Sequence, residues 1–291
     1  MGNTLMNEND QDAESLPFRP IAVGAFYPGI ERGLSADLIA ARALNGQAYP
    51  VCTSLVVAGG GVVTDVLDVP TDSVDAQLEH LFGTRTPTAA KVSIVNHPAT
   101  VEIVFSHLKD QLDGPLVFDM TLSGPSGEDI VNQRGIEALN EHLEQPNLVT
   151  LRVQDAALIA GMEIPSLDDA QVAVQRLGKL GAQRVLLRCG RLPTHFFDTD
   201  SEPPNYAVDL YYDGDDFALF EAPHVPAENT HGASSAYLMS VLKALCADEP
   251  MPEALQSAKA YVTEALRHGQ EHESIDAPHY FWRWAKETSL S

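Results

Sequence analysis

Residues 229–240 read Asn-Thr-His-Gly-Ala-Ser-Ser-Ala-Tyr-Leu-Met-Ser, a run of small and polar residues that leads into a helical pattern. The pattern is set by apolar residues spaced i, i+3, i+4, i+7, namely Leu238, Val241, Leu242 and Leu245. The first N–H groups of a helix lack intrahelical partners and lie at the positive end of its dipole. Because Gly232 and Ala233 allow close approach to the backbone, the junction predicts an anion site. An ordinary helix with Thr230 or Ser234 as N-cap is the alternative.

Apolar strands alternate with amphipathic helices along most of the chain. The predicted strands span residues 21–26, 49–58, 62–69, 91–95, 116–119, 148–151 and 185–188. The predicted helices lie at 35–44, 135–143, 169–180, 235–247 and 252–268, with others around Leu78, Val104 and Ala156. Strands that are apolar throughout are typical of a parallel sheet covered by helices on both faces. The sequence therefore predicts an α/β fold.

Short signals refine this pattern. Asp213-Gly214 between two aromatic-rich runs predicts a β-hairpin. Asp72 is predicted to cap a helix, Pro98 to begin one, and Gly269 to end the last one. No linker is evident after residue 17, so residues 17–291 are interpreted as one domain and residues 1–16 as a disordered acidic tail.

The chain is strongly acidic, with 41 acidic and 18 basic residues and a formal charge of −23. Such a charge argues against nucleic acid or an anionic membrane surface as a partner. Adaptation to a salty cytosol is one hypothesis, and an unusually acidic protein from an ordinary cell is the other. Three widely spaced cysteines in apolar surroundings predict buried, reduced thiols and a cytoplasmic protein. Neither a membrane-spanning run nor a signal pattern is evident.

Several sequence blocks, in order, resemble the hydroxymethylpyrimidine/phosphomethylpyrimidine kinases of thiamine biosynthesis. His231-Gly232 is similar to the start of that family's His-Gly-Thr-Gly-Cys motif. Further similar blocks lie at residues 21–38, 117–119 and 185–191, and at 258–262, which read Ala-Lys-Ala-Tyr-Val. The resemblance implies a ribokinase-like three-layer α/β/α sandwich with a mostly parallel central sheet. It also implies ATP and Mg²⁺ as cofactors, a small heterocyclic alcohol as substrate, and a homodimer.

The resemblance also implies roles for individual residues. The anion hole would be formed by Gly232, Ala233 and Ser234, with Ser235 at the position of the catalytic base. The substrate positions are Gly24, Phe26 and Ala58. The nucleotide positions are Arg152, Arg188 and Thr230. The metal positions are Asp119 and Asp155.

Some of these positions depart from the family pattern. Ser235 replaces a Cys, and a serine hydroxyl orients a substrate but is too weak an acid to be held as an alkoxide near neutral pH. Ala58 replaces the Gln that grips the pyrimidine. Arg152 replaces an Asn, and it either contacts a phosphate or is a surface side chain paired with Asp155. Asp209 is a distant candidate for the base.

Three functions are consistent with the sequence. The first is ATP-dependent phosphorylation of hydroxymethylpyrimidine or its phosphate. The second is an inactive relative that acts as a ligand-binding or regulatory protein. The third is a kinase of another small alcohol of the pyridoxal type.

Overall fold

The computed structural model describes residues 18–59, 61–124, 126–191, 205–226 and 230–271. The acidic tail predicted at residues 1–16 lies outside these ranges. Within them the strands form one nine-stranded sheet in the order β3-β2-β1-β4-β5-β6-β7-β8-β9. The strands are β1 Pro20–Phe26, β2 Tyr49–Gly59, β3 Val62–Asp68, β4 Ala89–Val92, β5 Leu116–Asp119, β6 Leu148–Arg152, β7 Val185–Arg191, β8 Tyr206–Tyr212 and β9 Phe217–Pro223.

The six central strands, from β2 to β7 in the sheet order, pair in parallel. The outer strands β3, β8 and β9 pair antiparallel. The parallel centre follows from the all-apolar strands, which are buried on both faces. The sheet therefore matches the predicted α/β class.

Eight helices within the described residues cover the two faces of the sheet. They are α1 Leu34–Ala43, α2 Thr71–Thr84, α3 Pro98–Gln111, α4 Gln133–Asn140, α5 Val153–Ala160, α6 Leu167–Lys179, α7 Ala233–Cys246 and α8 Met251–Glu271. One buried core joins α2 to α6 with one face of the sheet, and a second joins α1, α7 and α8 with the other. Strand β1 shows the alternation, because Ile21 and Val23 belong to the first core and Ala22 to the second. The predicted three-layer sandwich is confirmed.

Local details confirm some predictions and correct others. The hairpin at Asp213-Gly214 forms between β8 and β9, and Pro98 begins α3. Asp72 lies inside the first turn of α2 and does not cap it, because the chain enters the helix through Pro70. Gly269 does not end α8, which continues to Glu271.

The three cysteines are free thiols but only partly buried, so the expectation of full burial is wrong. Burial nevertheless raises the pKa of Cys189 to about 12, which makes that thiol unreactive near neutral pH. None of the helices in the described ranges is both long enough and apolar enough to cross a membrane.

Candidate active site

A cavity of about 240 Å³ lies at the carboxyl ends of the parallel strands. Its walls come from the ends of β4, β5, β6 and β7, from the β1–α1 connection and from the start of α7. The chain runs from β1 out to β2 and then returns to place β4 on the other side of β1. Such a reversal opens a crevice at the carboxyl ends of the strands, which is where ligands bind in open α/β sheets.

Helix α7 brings the quoted sequence stretch into the cavity. Gly232 is its N-cap residue in the left-handed conformation, with φ of 80° and no side-chain cap. The prediction of Thr230 or Ser234 as cap is therefore wrong, and a glycine suits this backbone because it lacks a Cβ. Thr230, Gly232, Ser234 and the buried Ser235 line the cavity, and Ala233 does not. The Ala233 N–H donates to the Thr230 carbonyl oxygen at 3.1 Å, so this amide is already occupied.

A chain of buried charges crosses the floor of the cavity. Lys91 Nζ donates to Asp37 Oδ1 at 2.6 Å and lies 3.9 Å from Asp119 Oδ2. Arg188 Nη2 donates to Asp119 Oδ1 at 2.6 Å, and its Nη1 donates to the Ser234 hydroxyl. Arg188 therefore connects the end of β7 with β5 and with the first turn of α7. Its buried Nε has no acceptor among the described residues.

Asp155 is fully buried and acts as a clamp on the loop that follows β5. Its Oδ1 accepts from the N–H groups of Leu122 and Ser123, at 3.3 and 3.1 Å, and from the Ser123 hydroxyl at 2.7 Å. Its Oδ2 accepts from Arg152 Nε at 2.8 Å. Arg152 Nη2 also donates to the Ser123 carbonyl oxygen at 2.6 Å. The predicted pairing of Arg152 with Asp155, one of the two alternatives for this residue, is therefore present. Arg152 also lines the cavity.

The two aspartates predicted at the metal site differ in what they can bind. Both oxygens of Asp155 are occupied by protein donors, so this carboxylate does not fit a metal ion. Asp119 borders the cavity and faces Arg188 and Lys91. Among the described residues no three His, Cys, Asp or Glu side chains form a metal cluster. The donor set therefore fits an Mg²⁺ ion only where most ligands are phosphate oxygens and water, with Asp119 as the protein carboxylate.

The predicted substrate residues do not line the cavity. Gly24 lies behind Ser93, which does line it, and Phe26 points outward at the end of β1. Ala58 lies near the end of β2, where it pairs with β3. Asp209 is also excluded as a base at this cavity, because it is buried against Lys259 with an Oδ2–Nζ distance of 2.7 Å.

Eight residues of the cavity wall were not among the predicted site residues: Tyr27, Arg32, Gly33, Lys91, Ser93, Ile94, Thr121 and His231. The Arg32 guanidinium lies over the Tyr27 ring, with 5.2 Å between Cζ and the ring centroid. Burial lowers the pKa of His231, and Arg32 lowers it further. Burial raises the pKa of Tyr27, so its phenol stays protonated at neutral pH. Tyr27 could have been predicted as a site residue from its position directly after β1, at the ligand-binding edge of the sheet.

The charges of the cavity wall contrast with those of the whole chain. Its charged side chains comprise four basic residues, Arg32, Lys91, Arg152 and Arg188, and one acidic residue, Asp119. A chain with a formal charge of −23 thus places a cluster of cations around one cavity. Together with the N-terminus of α7, this cluster favours an anionic ligand such as a phosphate.

Comparisons with known proteins agree with this chemistry. A family model described as phosphomethylpyrimidine kinase matches residues 31–279. The hydroxymethylpyrimidine/phosphomethylpyrimidine kinase of Aquifex aeolicus is 27% identical over 251 residues, which cover 86% of this chain and 94% of the relative. A thiamine biosynthesis bifunctional protein of Geobacter sulfurreducens is 27% identical over 239 residues, covering 82% of this chain and 47% of that protein.

A solved structure shows the same fold. Pyridoxal kinase of Staphylococcus aureus, in complex with AMP-PCP and pyridoxal, superposes with a TM-score of 0.76 at 21% identity. The match covers 92% of this chain and 95% of that structure. At this identity the likeness establishes the ribokinase-like architecture alone.

Proposed function

Because the chain belongs to the phosphomethylpyrimidine kinase family, we propose that it transfers the γ-phosphoryl group of ATP to hydroxymethylpyrimidine or its phosphate, a step of thiamine biosynthesis. The observation that carries this proposal is the start of α7, which meets Arg188, Arg152 and Lys91 around one cavity. A helix N-terminus and guanidinium groups are the donors that a transferring phosphoryl group requires.

The protein residues act mainly by positioning and by stabilising charge. ATP supplies the phosphoryl group, and Asp119 would hold an Mg²⁺ ion, which would supply positive charge to the phosphates. The backbone of Gly232, Ser234 and Ser235, which line the cavity, receives the charge that develops on the transferring group. Arg188, on the cavity wall, binds the phosphates through its guanidinium group. Ser235 orients the acceptor oxygen by hydrogen bonding.

A product assay tests the activity. Purified protein is incubated with ATP, Mg²⁺ and, separately, hydroxymethylpyrimidine, its monophosphate or pyridoxal, and the products are identified by mass spectrometry. Phosphorylation of a pyrimidine acceptor supports the proposal. Preference for pyridoxal would replace it with the pyridoxal-type activity. An absence of turnover and of ATP binding would favour the non-catalytic alternative.

A matched pair of variants tests nucleotide binding. Arg188→Gln removes the cation between β5, β7 and α7, and we expect the Kd for ATP in calorimetry to rise about tenfold or more. Arg134→Gln changes an exposed arginine on α4 that does not line the cavity, and it should leave the Kd unchanged. Equal affinities of both variants would contradict the nucleotide role of Arg188.

The assembly and location are part of the same proposal. The β2–β3 edge of the sheet exposes four large apolar side chains, Leu55, Val57, Val62 and Leu67. Such a patch supports a homodimer formed across this edge. Light scattering of wild type and Leu67→Lys tests it, since the charged variant should be monomeric. The free cysteines support a cytoplasmic location.

A further inference from the structure

A buried ion pair lies behind the cavity wall, on the side of the sheet that α7 and α8 cover. Lys259 Nζ, on α8, donates to Asp209 Oδ2, on β8, at 2.7 Å. Asp209 is 2% exposed and Lys259 6% exposed, and neither residue lines the cavity. Two buried charges carry a desolvation cost that an apolar pair of similar size would avoid. The pair therefore calls for a role other than direct contact with a ligand.

The register of the sheet places Asp209 opposite Arg188. The two residues are Cα partners in the antiparallel pairing of β7 with β8. Side chains of directly opposite residues point to the same face of a sheet, with Cβ atoms about 4.5–5.5 Å apart. Arg188 reaches Ser234 on α7. Asp209 reaches Lys259 on α8, so this is the face that the two helices cover. The Asp209 carboxylate is thus a close neighbour of a guanidinium on the cavity wall.

Arg188 has a carboxylate on each side, of which it pairs with one. Its Nη2 donates to Asp119 Oδ1 at 2.6 Å and its Nη1 donates to the Ser234 hydroxyl, and these contacts hold the guanidinium on the cavity wall. Its buried Nε has no acceptor among the described residues. A carboxylate that accepted from Arg188 would gain a charge-assisted hydrogen bond. Asp209 lies opposite, and Lys259 competes with Arg188 for it.

We propose, on the basis of the kinase function above, that Lys259 is a positioning residue for nucleotide binding. It holds the Asp209 carboxylate and so prevents Asp209 from drawing Arg188 away from Asp119 and Ser234. A buried carboxylate without a counter-ion is strongly unfavourable. Loss of Lys259 would therefore leave Asp209 to pair with Arg188, and the guanidinium would leave the place where it meets the phosphates of the nucleotide.

The test measures the Kd for ADP by calorimetry, which requires no turnover. Lys259→Met removes the competing cation and should raise the Kd about tenfold, as we expect for Arg188→Gln. The double variant Asp209→Asn with Lys259→Met also removes the carboxylate, so it should bind ADP within about twofold of wild type. Lys109→Met, at an exposed position on α3, is the matched control and should bind ADP like wild type.

This rescue distinguishes positioning from the two simpler roles of a buried lysine. If Lys259 acted only in packing, or contacted the nucleotide itself, the double variant would bind ADP no better than Lys259→Met, and either result would overturn the proposal. A second comparison adds Lys259→Met to Arg188→Gln. The Kd should not rise further, because the guanidinium that would be displaced is already absent. An additional loss of affinity in this variant would contradict the proposed route through Arg188.

Lys259→Gln serves if circular dichroism shows that Lys259→Met does not fold. It keeps a hydrogen-bond donor for Asp209 without the charge, so its Kd should rise and should return to the wild-type value when Asp209→Asn is added. A Kd that stays raised in this double variant would overturn the proposal.

The same binding data separate this proposal from the kinase function. If wild type binds ADP and the rescue is observed but no acceptor is phosphorylated, the kinase function fails and the role of Lys259 stands. If an acceptor is phosphorylated and the rescue fails, the kinase function stands and the role of Lys259 is overturned. If wild type binds no ADP, both are overturned.

Discussion

Asp119 and Asp155 lie at neighbouring strand ends, yet their surroundings differ. Asp155, just after β6, has all its partners within the protein, from two backbone N–H groups to Arg152. Asp119, at the end of β5, borders the cavity and contacts Arg188 and Lys91, which are both side chains with further partners. Both oxygens of Asp155 accept hydrogen bonds from protein donors, so this carboxylate holds a loop in place. Asp119 lies on the cavity wall, where it can exchange a protein partner for a ligand. Location at the ligand-binding edge therefore does not by itself identify a binding residue.

The largest expected effect is the loss of stability in Asp155→Ala. Removal of this buried carboxylate leaves Arg152 without its counter-ion and two amides without an acceptor, so we expect a loss of about 3–5 kcal/mol in the free energy of unfolding. Urea denaturation measures it. Asp113→Ala, at an exposed loop position, should change stability by less than about 0.5 kcal/mol. If the free energy of unfolding falls no more in Asp155→Ala than in this control, Asp155 does not hold the loop after β5 in place.

Asp119→Asn should instead act mainly on catalysis. The neutral amide weakens the hold on Arg188 and removes the carboxylate at the cavity, so we expect kcat/KM to fall on the order of 100-fold. Its loss of stability should be smaller than that of Asp155→Ala, since Lys91 keeps Asp37 and Arg188 keeps Ser234. Steady-state kinetics beside urea denaturation check both parts. The contrast between the two aspartates fails if Asp119→Asn loses as much stability as Asp155→Ala while its kcat/KM stays unchanged.

Gly24→Ala probes how tightly the cavity floor is packed. A Cβ at this position would lie 2.0 Å from the Ser93 Oγ, which donates to the Val23 carbonyl oxygen at 3.2 Å. Ser93 must shift and lose this hydrogen bond, so we expect a loss of about 1–3 kcal/mol. Gly83→Ala, inside α2 with open space around it, should stabilise the protein by about 0.5–1 kcal/mol. Thermal unfolding of the two variants should therefore shift in opposite directions.

The smallest expected effect is a pH dependence that arises at the cavity. The pKa of His231 in the folded protein lies below its ordinary value of 6.5, so the unfolded chain takes up a proton first as the pH falls. Wild type should lose stability from about pH 6.5 downward until the folded pKa is passed, and His231→Gln should lose less. Denaturation at pH 7.5 and 5.5 measures this difference. His80→Gln, at an exposed position on α2, should keep the wild-type dependence.

Much of the architecture was predictable because its determinants are local. The apolar runs of the parallel strands and the Asp213-Gly214 turn are each visible within a few residues of sequence. The helix ends were less predictable. Gly232 caps α7 through its backbone conformation, and Gly269 lies inside a helix whose packing outweighs the weak helix propensity of glycine.

The site was only partly predictable because its contacts join distant parts of the chain. Asp155 accepts hydrogen bonds from the N–H groups of Leu122 and Ser123, which lie 33 and 32 residues earlier in the sequence. No local sequence pattern shows that these donors occupy its carboxylate. In the sequence Tyr27 is an ordinary turn residue, and only its burial and the lack of a hydrogen-bond partner for its hydroxyl among the described residues distinguish it. Arg188, by contrast, was predicted as a nucleotide position from the family resemblance, and the structure places it on the cavity wall.

The cationic cavity within an anionic protein has a kinetic consequence. A nucleotide that approaches from solution first meets the field of a chain with a net charge of −23, and like charges repel over about one Debye length. Added salt shortens that length, so it should accelerate nucleotide capture while it weakens the contacts made inside the cavity. The association rate and the residence time of the nucleotide should therefore respond to ionic strength in opposite directions.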